Sequence, residues 1–223
     1  MSYIVPNSSR SEIKFVGDHS SFDSVFCWLQ LSQYGFYKEF PDRKVNSIYF
    51  DSIDYSAFID NLIGLSARSK LRIRWYGDFS EQVRFELKRK RNSFGWKIIE
   101  NIDMNSEALS MNVLNLKNNI RNYLSDQNKY FIDIFSEPSL KVQYDRQYFI
   151  SLDGNVRVTI DTNQSFTEMN SKLASKFFLD DVFIVEFKFG KKAHHLASDF
   201  ISTFPLRQSK NSKYVNGVYG YLK

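Results

Sequence analysis

The sequence predicts an α+β protein in which an antiparallel sheet carries charge on one face while helices cover the other face. At least five stretches alternate charged residues with branched or aromatic ones, which is the period of a strand with one buried face. Between them lie amphipathic segments with apolar residues at helical spacing. Such helices must bury their apolar stripe, and the apolar strand faces are the available partner.

Composition favours one folded domain. The chain has 223 residues, 43% of them hydrophobic, with 21 Phe and 13 Tyr, so a sizeable core is available. Only 9 Gly and 4 Pro argue against a disordered or repetitive chain. No internal boundary looks like a linker, so we expect a loose leader over residues 1–9 and a single domain over 10–223. The net charge of +5 and the pI of about 9.1 predict an anionic partner only weakly.

The single cysteine, Cys27, excludes an intrachain disulfide and a Cys-x-x-Cys metal site. It lies in the apolar run 25–29, which predicts a small buried thiol. No stretch is long and apolar enough to span a membrane, and the N-terminus lacks the order of a signal peptide. We therefore expect a cytoplasmic protein.

Strands are expected where polar and apolar residues alternate. Glu12 and Lys14 alternate with apolar neighbours in the first of them, and Asp153-Gly154 is a hairpin turn signal between two later ones. The predicted strands lie at 10–15, 45–51, within the hairpin 71–90, and at 95–103, 141–150, 156–161 and 182–189.

Helices are expected where apolar residues recur at helical spacing. Asp18 or Ser20 is a candidate cap for the first helix, Gly64 a stop for the second and Ser106 a cap for the longest. Residues 125–137 are ambiguous and compatible with a further short helix. The predicted helices lie at 20–33, 54–62, 106–124, 192–203 and 212–222.

The hairpin Leu71–Lys90 shows the charge pattern most clearly. Arg72 and Arg74 share one parity in its first strand, and Glu86 and Lys88 share one parity in its second. One such hairpin is most simply a solvated surface. The pattern recurs, however, in the other strands, whose facing charges are Glu12, Lys14, Arg146, Arg157, Asp161, Glu186 and Lys188.

If helices cover the apolar sides and the sheet curls into a closed barrel, these charges lie in its lumen. Packed Arg and Lys side chains repel one another and are costly to desolvate, so the lumen needs water and a compensating anion or metal. A phosphate chain fits, because Arg offers a planar fork to phosphate oxygens and Lys a mobile point charge. The few carboxylates among them could hold a divalent cation that bridges phosphate oxygens.

Six short motifs, in this order, resemble the catalytic domain of the vacuolar transporter chaperone (VTC) complex, the polyphosphate polymerase branch of the triphosphate tunnel metalloenzymes. The resemblance covers the chain from Arg10 to about Tyr219. The motifs are Arg10-x-Glu12-x-Lys14-Phe15, Ser47-Ile48-Tyr49-Phe50-Asp51, Lys70-Leu71-Arg72-Ile73-Arg74-Trp75-Tyr76, Glu86-x-Lys88, Val185-Glu186-Phe187-Lys188 and Ser212-Lys213-Tyr214.

The resemblance implies an antiparallel β-barrel tunnel with a charged lumen, covered outside by helices. It implies a metal-dependent phosphotransferase, using Mn²⁺ or Mg²⁺, that transfers the ATP γ-phosphate to a growing inorganic polyphosphate chain. Glu186 matches the metal-binding carboxylate, and Glu12 either joins it or pairs with an arginine. The residues that match the phosphate-binding set are Lys14, Arg72, Arg74, Lys88, Lys97, Arg146, Arg157 and Lys213.

Two departures refine this expectation. The chain shows neither the inositol-phosphate-sensing domain nor the membrane helices of eukaryotic members, so a stand-alone, bacterial-type member is expected. Its first strand has Glu12-x-Lys14, whereas the adenylate cyclase and thiamine triphosphatase branch has Glu-x-Glu-x-Lys, which favours the polymerase branch.

Other readings stay open. A triphosphatase on the same fold, with nucleoside triphosphate, inorganic triphosphate or an RNA 5′ end as substrate, would release phosphate instead of polymer. A non-catalytic subunit would only bind polyphosphate. We expect no nucleic-acid partner, since strand alternation leaves only Lys88 and Lys90 of the basic run 88–91 on the charged face. His194 and His195 are adjacent and cannot share a helix face as metal ligands.

Overall fold

The computed structural model describes residues 11–78, 80–92, 94–109, 115–170, 175–179 and 181–222. The predicted leader over residues 1–9 and the first residue of the predicted strand 10–15 lie outside these ranges. Within them, nine strands form one sheet in which neighbours follow the order β1-β9-β7-β6-β2-β3-β4-β5, with β8 beside β7. The strands are β1 Ser11–Asp18, β2 Tyr37–Asp51, β3 Ala67–Tyr76, β4 Val83–Arg91, β5 Phe94–Ile102, β6 Glu137–Ile150, β7 Val156–Glu168, β8 Lys176–Leu179 and β9 Val182–Phe189.

Helices lie between and after the strands. Short 3-10 helices form at His19–Ser21, Ser106–Leu109 and Lys191–Leu196. The α-helices are α1 Phe22–Leu31, α2 Ser56–Leu62, α3 Leu116–Tyr123, α4 Asp126–Ile134, α5 Ala197–Thr203 and α6 Lys213–Tyr221. An α+β architecture with antiparallel strand pairs is therefore confirmed.

The chain divides into two compact units. The first contains the described residues up to Arg43 together with Tyr144–Gln164 and Phe178–Asn211. The second contains Lys44–Gln143, Ser165–Phe177 and the residues from Ser212 onward.

The core of the first unit lies on the apolar face of β1, β9 and β7. Phe15, Val185 and Val158 come from these strands, and Leu29 of α1 and Phe200 of α5 pack against them. This face is the one that alternation in the sequence predicts to be buried. The helices on it leave Glu12 and Lys14 of β1 on the opposite face.

The core of the second unit lies on the apolar face of β3 and β4. Leu71, Ile73 and Phe85 are buried there against Ile120 of α3 and Ile132 of α4. The β3–β4 hairpin turns at Gly77, whose φ of +76° is a left-handed conformation that favours glycine. The apolar and charged parities predicted for this hairpin are thus confirmed.

Several element predictions need correction. Residues 106–124 were expected to form one helix, but a 3-10 helix occupies Ser106–Leu109 and α3 begins at Leu116; residues 110–114 lie outside the described ranges. The helix expected at 192–203 likewise begins as a 3-10 helix at Lys191–Leu196. Asn105 explains the first case locally, because its side-chain oxygen accepts a hydrogen bond from Glu107 N at 2.8 Å and closes a tight turn.

The Cys27 thiol is exposed, so the expectation of a buried thiol is wrong. Val25 and Leu29 of α1 take the buried positions, and Cys27 lies two residues from each of them, on the other side of the helix. Among the described residues, no helix is long and apolar enough to cross a membrane.

Candidate functional site

The charged face of the second unit is organised by strand register. Across β3 and β4, Arg72 lies opposite Glu86, and Lys70 lies opposite Lys88. Across β4 and β5, Lys88 lies opposite Lys97, so three lysines form one row across three strands. Like charges directly opposite one another destabilise a sheet unless something compensates them.

Glu86 is the buried carboxylate of this face, with an exposed fraction of 2%. Arg72 Nε donates to Glu86 Oε2 at 2.6 Å, and Lys97 Nζ lies 2.5 Å from Glu86 Oε1. Arg74 NH1 is 3.9 Å from Oε2. Burial alone would raise the pKa of Glu86, but the charges of these three cations outweigh it and hold the pKa far below its usual range.

The pKa of Lys97 is lowered as well, which for a lysine disfavours the charged form. Its burial and the nearby Arg72 lower its pKa to about 8, against the opposing attraction of Glu86. Lys97 was a less secure prediction from the sequence. The structure brings it to the same carboxylate as Arg72 and Arg74.

Tyr49 lies in this network and was not among the predicted site residues. Its hydroxyl accepts a hydrogen bond from Arg72 NH1 at 3.1 Å, and it lies opposite Arg72 in the β2–β3 register. Burial would raise the pKa of Tyr49, but Arg72, Arg74 and Lys213 outweigh it and lower the pKa. That Tyr49 lies on the same face as Arg72 could be inferred only once β2 and β3 were known to pair.

The N-terminus of α6 contacts the same face. Ser212 Oγ accepts from Val215 N at 3.3 Å, as an N-cap does, and from Lys70 Nζ at 2.8 Å. Tyr214 stacks on Tyr49 with 5.0 Å between ring centroids. Thus α6 lies against the charged face, to which Tyr49 belongs, in addition to the helices that cover the apolar face.

A buried carboxylate holds α6 in place. The Tyr214 hydroxyl donates to Asp51 Oδ2, which also accepts from Phe58 N at 2.9 Å, while Asp51 Oδ1 accepts from Ala57 N at 2.8 Å. Asp51 thus joins the first turn of α2 to α6. Burial and the adjacent Asp51 raise the pKa of Tyr214, so its hydroxyl stays a proton donor. Lys213 is the residue before Tyr214, so the same anchor holds it near Tyr49. There the positive charge of Lys213 helps to lower the pKa of Tyr49.

The charged face of the first unit is also organised by register. Glu186 of β9 lies opposite Lys14 of β1 and opposite Thr159 of β7. Lys14 Nζ is 3.5 Å from Glu186 Oε1, and Lys188 Nζ is 2.9 Å from Oε2. Burial would raise the pKa of Glu186, but Lys188, Lys14 and Arg146 outweigh it and hold the pKa well below its usual range.

Arg146 and Asp161 form a buried two-point ion pair. Arg146 Nε and NH2 donate to the two Asp161 oxygens at 2.6 and 2.8 Å. Asp161, one of the facing charges of the predicted strand 156–161, thus pairs with Arg146 of β6. Arg157 instead pairs with Glu39 at 2.8 Å, with 47% of its side chain exposed.

The two carboxylates predicted to bind metal lie in neighbouring rows of this face. Glu12 lies opposite Lys188. On this face, that pair is the row next to Lys14 and Glu186, two register positions away. Within the described residues, no three His, Cys, Asp or Glu side chains come together as a metal cluster. Thr159 is buried beside Glu186, and its hydroxyl makes no hydrogen bond within the described residues.

The predicted residues therefore fall into two sets, one in each unit, and in each set some members contact a shared carboxylate while Arg157 pairs elsewhere, with Glu39. In the first unit, Lys14 contacts Glu186, and Arg146 is near enough to lower the pKa of Glu186. In the second unit, Arg72, Arg74 and Lys97 contact Glu86. Residues of these faces that were not among the predicted site residues are Glu86, Lys188, Tyr49, Thr159 and the Asp51–Tyr214 pair.

These features define an α+β protein with densely charged antiparallel strand faces, and comparison with known proteins gives its family. The sequence model of the VTC domain matches residues 9–220, which is most of the chain, so this protein belongs to the VTC domain family. No curated protein sequence matches significantly. A solved structure of a proposed adenylate cyclase from Vibrio parahaemolyticus is similar over 93% of this chain and 97% of that chain, with 14% sequence identity and a TM-score of 0.49.

Proposed function

We propose that this protein is a metal-dependent phosphotransferase that transfers the γ-phosphate of ATP to the end of a growing inorganic polyphosphate chain. Closure of the sheet into a tunnel is part of the proposal. Membership of the VTC domain family supports it. The observation that carries it is the lysine row Lys70–Lys88–Lys97 beside Arg72 and the buried carboxylate Glu86.

That arrangement is costly without an anion. Directly opposed cations repel, and burying them removes the water that would screen them. Glu86 is shared by three cationic neighbours, Arg72, Arg74 and Lys97. A phosphate chain supplies one negative charge after another along its length. It therefore suits rows of cations better than a small carboxylate ligand does.

Each residue type has a proposed role. The arginines offer forked donors to non-bridging phosphate oxygens and the lysines offer mobile charge, so both sets would hold the phosphates in line for transfer. This role is proposed for Lys14, Arg72, Arg74, Lys88, Lys97, Arg146, Arg157 and Lys213.

The chemical step needs little from the protein beyond position and charge. A terminal phosphate oxygen of the acceptor attacks the γ-phosphorus, a new P–O–P bond forms, the bond to the β-phosphate oxygen breaks, and ADP leaves. The attacking oxygen is already anionic, so no general base is required. The cations stabilise the charge that spreads over the transferred group.

The donor set of the first unit fits a divalent cation bound mainly by phosphate. Mg²⁺ and similar ions commonly take one or two protein carboxylates and complete their shell with substrate oxygens and water. Glu186 is held ionised, and the unbonded Thr159 hydroxyl beside it adds a neutral oxygen. Glu186, with Glu12 as a second candidate, would hold Mn²⁺ or Mg²⁺, which supplies charge neutralisation at the phosphate oxygens.

Product analysis tests the proposal. The purified chain is incubated with ATP and Mn²⁺, polymer is resolved on a gel stained for polyphosphate, and released phosphate is measured in parallel. Arg72→Ala is expected to lower polymer synthesis by at least about a thousandfold, because it removes a forked donor from the transferred phosphate. The matched control is Arg121→Ala on α3, which breaks an ion pair with Asp133 of α4 (3.1 Å) and should leave synthesis unchanged.

The other outcomes separate the alternatives. Phosphate without polymer would replace the polymerase by a triphosphatase on the same faces. Neither product, together with tight polyphosphate binding, would make the protein a binding subunit. Full polymer synthesis by Arg72→Ala would contradict the proposed site itself.

A further inference from the structure

A small surface cleft of about 230 Å³ opens in the first unit, outside its charged face. Phe183 of β9 has the strand parity of the core residue Val185, and Thr162 of β7 has that of Ile160. The cleft therefore lies on the side of the sheet opposite Glu186. Its lining includes His19, Phe22, Thr162, Asn163, Asp181 and Phe183.

Two aromatic rings form the apolar part of the cleft. The rings of Phe22 and Phe183 meet at 90°, with 5.0 Å between their centroids. Phe183 is buried and packs closely against Gly17, where an added Cβ would lie 2.5 Å from Phe183 Cζ. The rings are thus held in place before any ligand arrives. Aromatic rings offer apolar contact and also attract cations.

The polar groups of the cleft are mainly hydrogen-bond acceptors. Asn163 Nδ2 donates to Asp145 Oδ2 at 2.8 Å, so Asn163 Oδ1 is the part of this amide that can accept from a ligand. Within the described residues, the Thr162 hydroxyl and the Asp181 carboxylate make no side-chain hydrogen bond or ion pair. An acceptor-rich cleft selects a ligand that donates hydrogen bonds.

The charge around the cleft has the same preference. Asp181 lines it, Asp145 holds Asn163, and Asp18 lies opposite Val182 where β9 begins. Among the described residues that line the cleft, none is Lys or Arg. The cleft is therefore locally acidic in a chain whose net charge is +5, and such a concave surface concentrates cations.

We propose that this cleft binds a small alkylammonium ion. The ammonium group carries three N–H donors, which go to the Asp181 carboxylate, Asn163 Oδ1 and the Thr162 hydroxyl, while the alkyl chain lies on Phe22 and Phe183. A bare metal ion suits the site less well, because within the described residues no three His, Cys, Asp or Glu side chains come together. The site is independent of the proposed function, since its lining lies on the other side of the sheet.

An NMR titration of the isotope-labelled full chain tests the proposal. The probes are n-butylamine, n-butanol and butyrate, which share a four-carbon chain and differ in charge. Butylamine should give saturable shifts of the backbone amide signals of residues 162, 163 and 181–183. Butanol should bind about fivefold more weakly, because it lacks the charge that pairs with an exposed carboxylate, and butyrate should not bind.

Free diamines and lysine side chains share this alkylammonium chemistry, and two further probes distinguish them. The probes are 1,4-diaminobutane and lysine blocked at both its amino and carboxyl ends. Tighter binding of the diamine would identify a free amine as the ligand, and tighter binding of the blocked lysine would identify a side chain. Both results support an alkylammonium site.

Two variants test the named groups. Asp181→Asn removes the carboxylate charge and should weaken butylamine binding about fivefold. Asn163→Gly removes Oδ1 but tolerates the φ of +51° at this position, so it should weaken binding about threefold without straining the backbone. The matched control is Asp126→Asn, an exposed carboxylate on α4 in the second unit, which should bind butylamine as the unaltered chain does. The remaining amide signals verify that each variant is folded.

Three results would overturn the inference. Equal affinity for butylamine and butanol would show that the cleft recognises apolar shape without charge. Undiminished butylamine binding by both Asp181→Asn and Asn163→Gly would place the amine elsewhere. No saturable shift below about 10 mM of any amine would show that the cleft does not bind this class of ligand. In each case the proposed function stands, because these probes do not test the phosphate-binding faces.

Discussion

The charged faces of the two units arise from the same strand alternation but differ in charge balance. In the first unit, four cations are accompanied by four carboxylates: Lys14, Arg146, Arg157 and Lys188 with Glu12, Glu39, Asp161 and Glu186. In the second unit, eight strand cations share the charged face with Glu86 and with Asp51, a buried carboxylate that Tyr214 and α2 hold: Arg68, Lys70, Arg72, Arg74, Arg84, Lys88, Lys90 and Lys97.

This difference separates two kinds of charged face. A balanced face can be satisfied by ion pairs that form when the protein folds, as Arg146 and Asp161 are. A face with more cations than carboxylates attracts an anion, because opposed like charges repel and the excess positive charge raises the local potential. The second unit is therefore the better candidate for phosphate binding, and the first is the better candidate for supplying a carboxylate to a metal.

The largest expected effect sharpens this division. Glu186→Gln should lower metal-dependent turnover by about a thousandfold, because it removes the carboxylate proposed to hold the cation. Metal-free binding of triphosphate should stay the same or tighten, because Lys14 and Lys188 lose their acidic partner. Turnover and calorimetric binding are measured on the same preparation, with Asp126→Asn on α4 as the control. Turnover within threefold of the unaltered chain would contradict the metal role.

A smaller effect concerns how α6 is held on the second face. Tyr214→Phe removes the hydroxyl that donates to Asp51 and should lower the free energy of unfolding by about 2 kcal/mol, since the acceptor is charged. It should also raise the KM for ATP, because Lys213 and Ser212 lose their anchor.

Tyr221→Phe is the matched control at the other end of α6, where the hydroxyl donates to the carbonyls of Phe166 and Ser175 at 2.6 and 3.0 Å. Tyr221→Phe should lower the free energy of unfolding by about 1 kcal/mol, as the loss of a neutral hydrogen bond does, and leave the KM for ATP unchanged. Equal KM values for the two variants would show that Tyr214 supports the fold without positioning Lys213.

The smallest effect is a pH dependence that belongs to the second face alone. The pKa of Lys97 is lowered to about 8, so Lys97 loses its charge as pH rises through that value. Triphosphate affinity should therefore fall a few-fold above pH 8. Lys97→Arg keeps its charge throughout this range, and it should abolish the decline. A decline of the same size in Lys97→Arg would assign the titration to another group.

The sequence predicted the strands where alternation is strong. The β3–β4 hairpin and β9, at Val182–Phe189, lie where they were expected, because one face of each is buried in a core. The first half of β2, Tyr37–Lys44, was missed because its residues are nearly all exposed and show no alternation. The β8 strand is only four residues long and was missed as well.

The site was predictable in residue type and face but not in pairing. Which carboxylate meets which cation depends on the register between paired strands, which alternation alone does not fix. Asp161 meets Arg146 through the arrangement of β6 and β7, and Lys97 reaches Glu86 diagonally across β4 and β5. The Asp51–Tyr214 bond joins residues 163 positions apart, and neither residue alone indicates the other.

One paired measurement tests the central claim that the second face is the one built for an anion. Glu86→Gln and Asp161→Asn each remove one buried carboxylate, and each should lower the free energy of unfolding by about 3 kcal/mol. Inorganic triphosphate is then added at a fixed concentration, and the gain in stability is measured by chemical denaturation. Glu86→Gln should gain more stability from triphosphate than the unaltered chain, because Arg72, Arg74 and Lys97 are left without their carboxylate. Asp161→Asn should gain as much as the unaltered chain does. Equal gains in the two variants, or a larger gain in Asp161→Asn, would contradict the account.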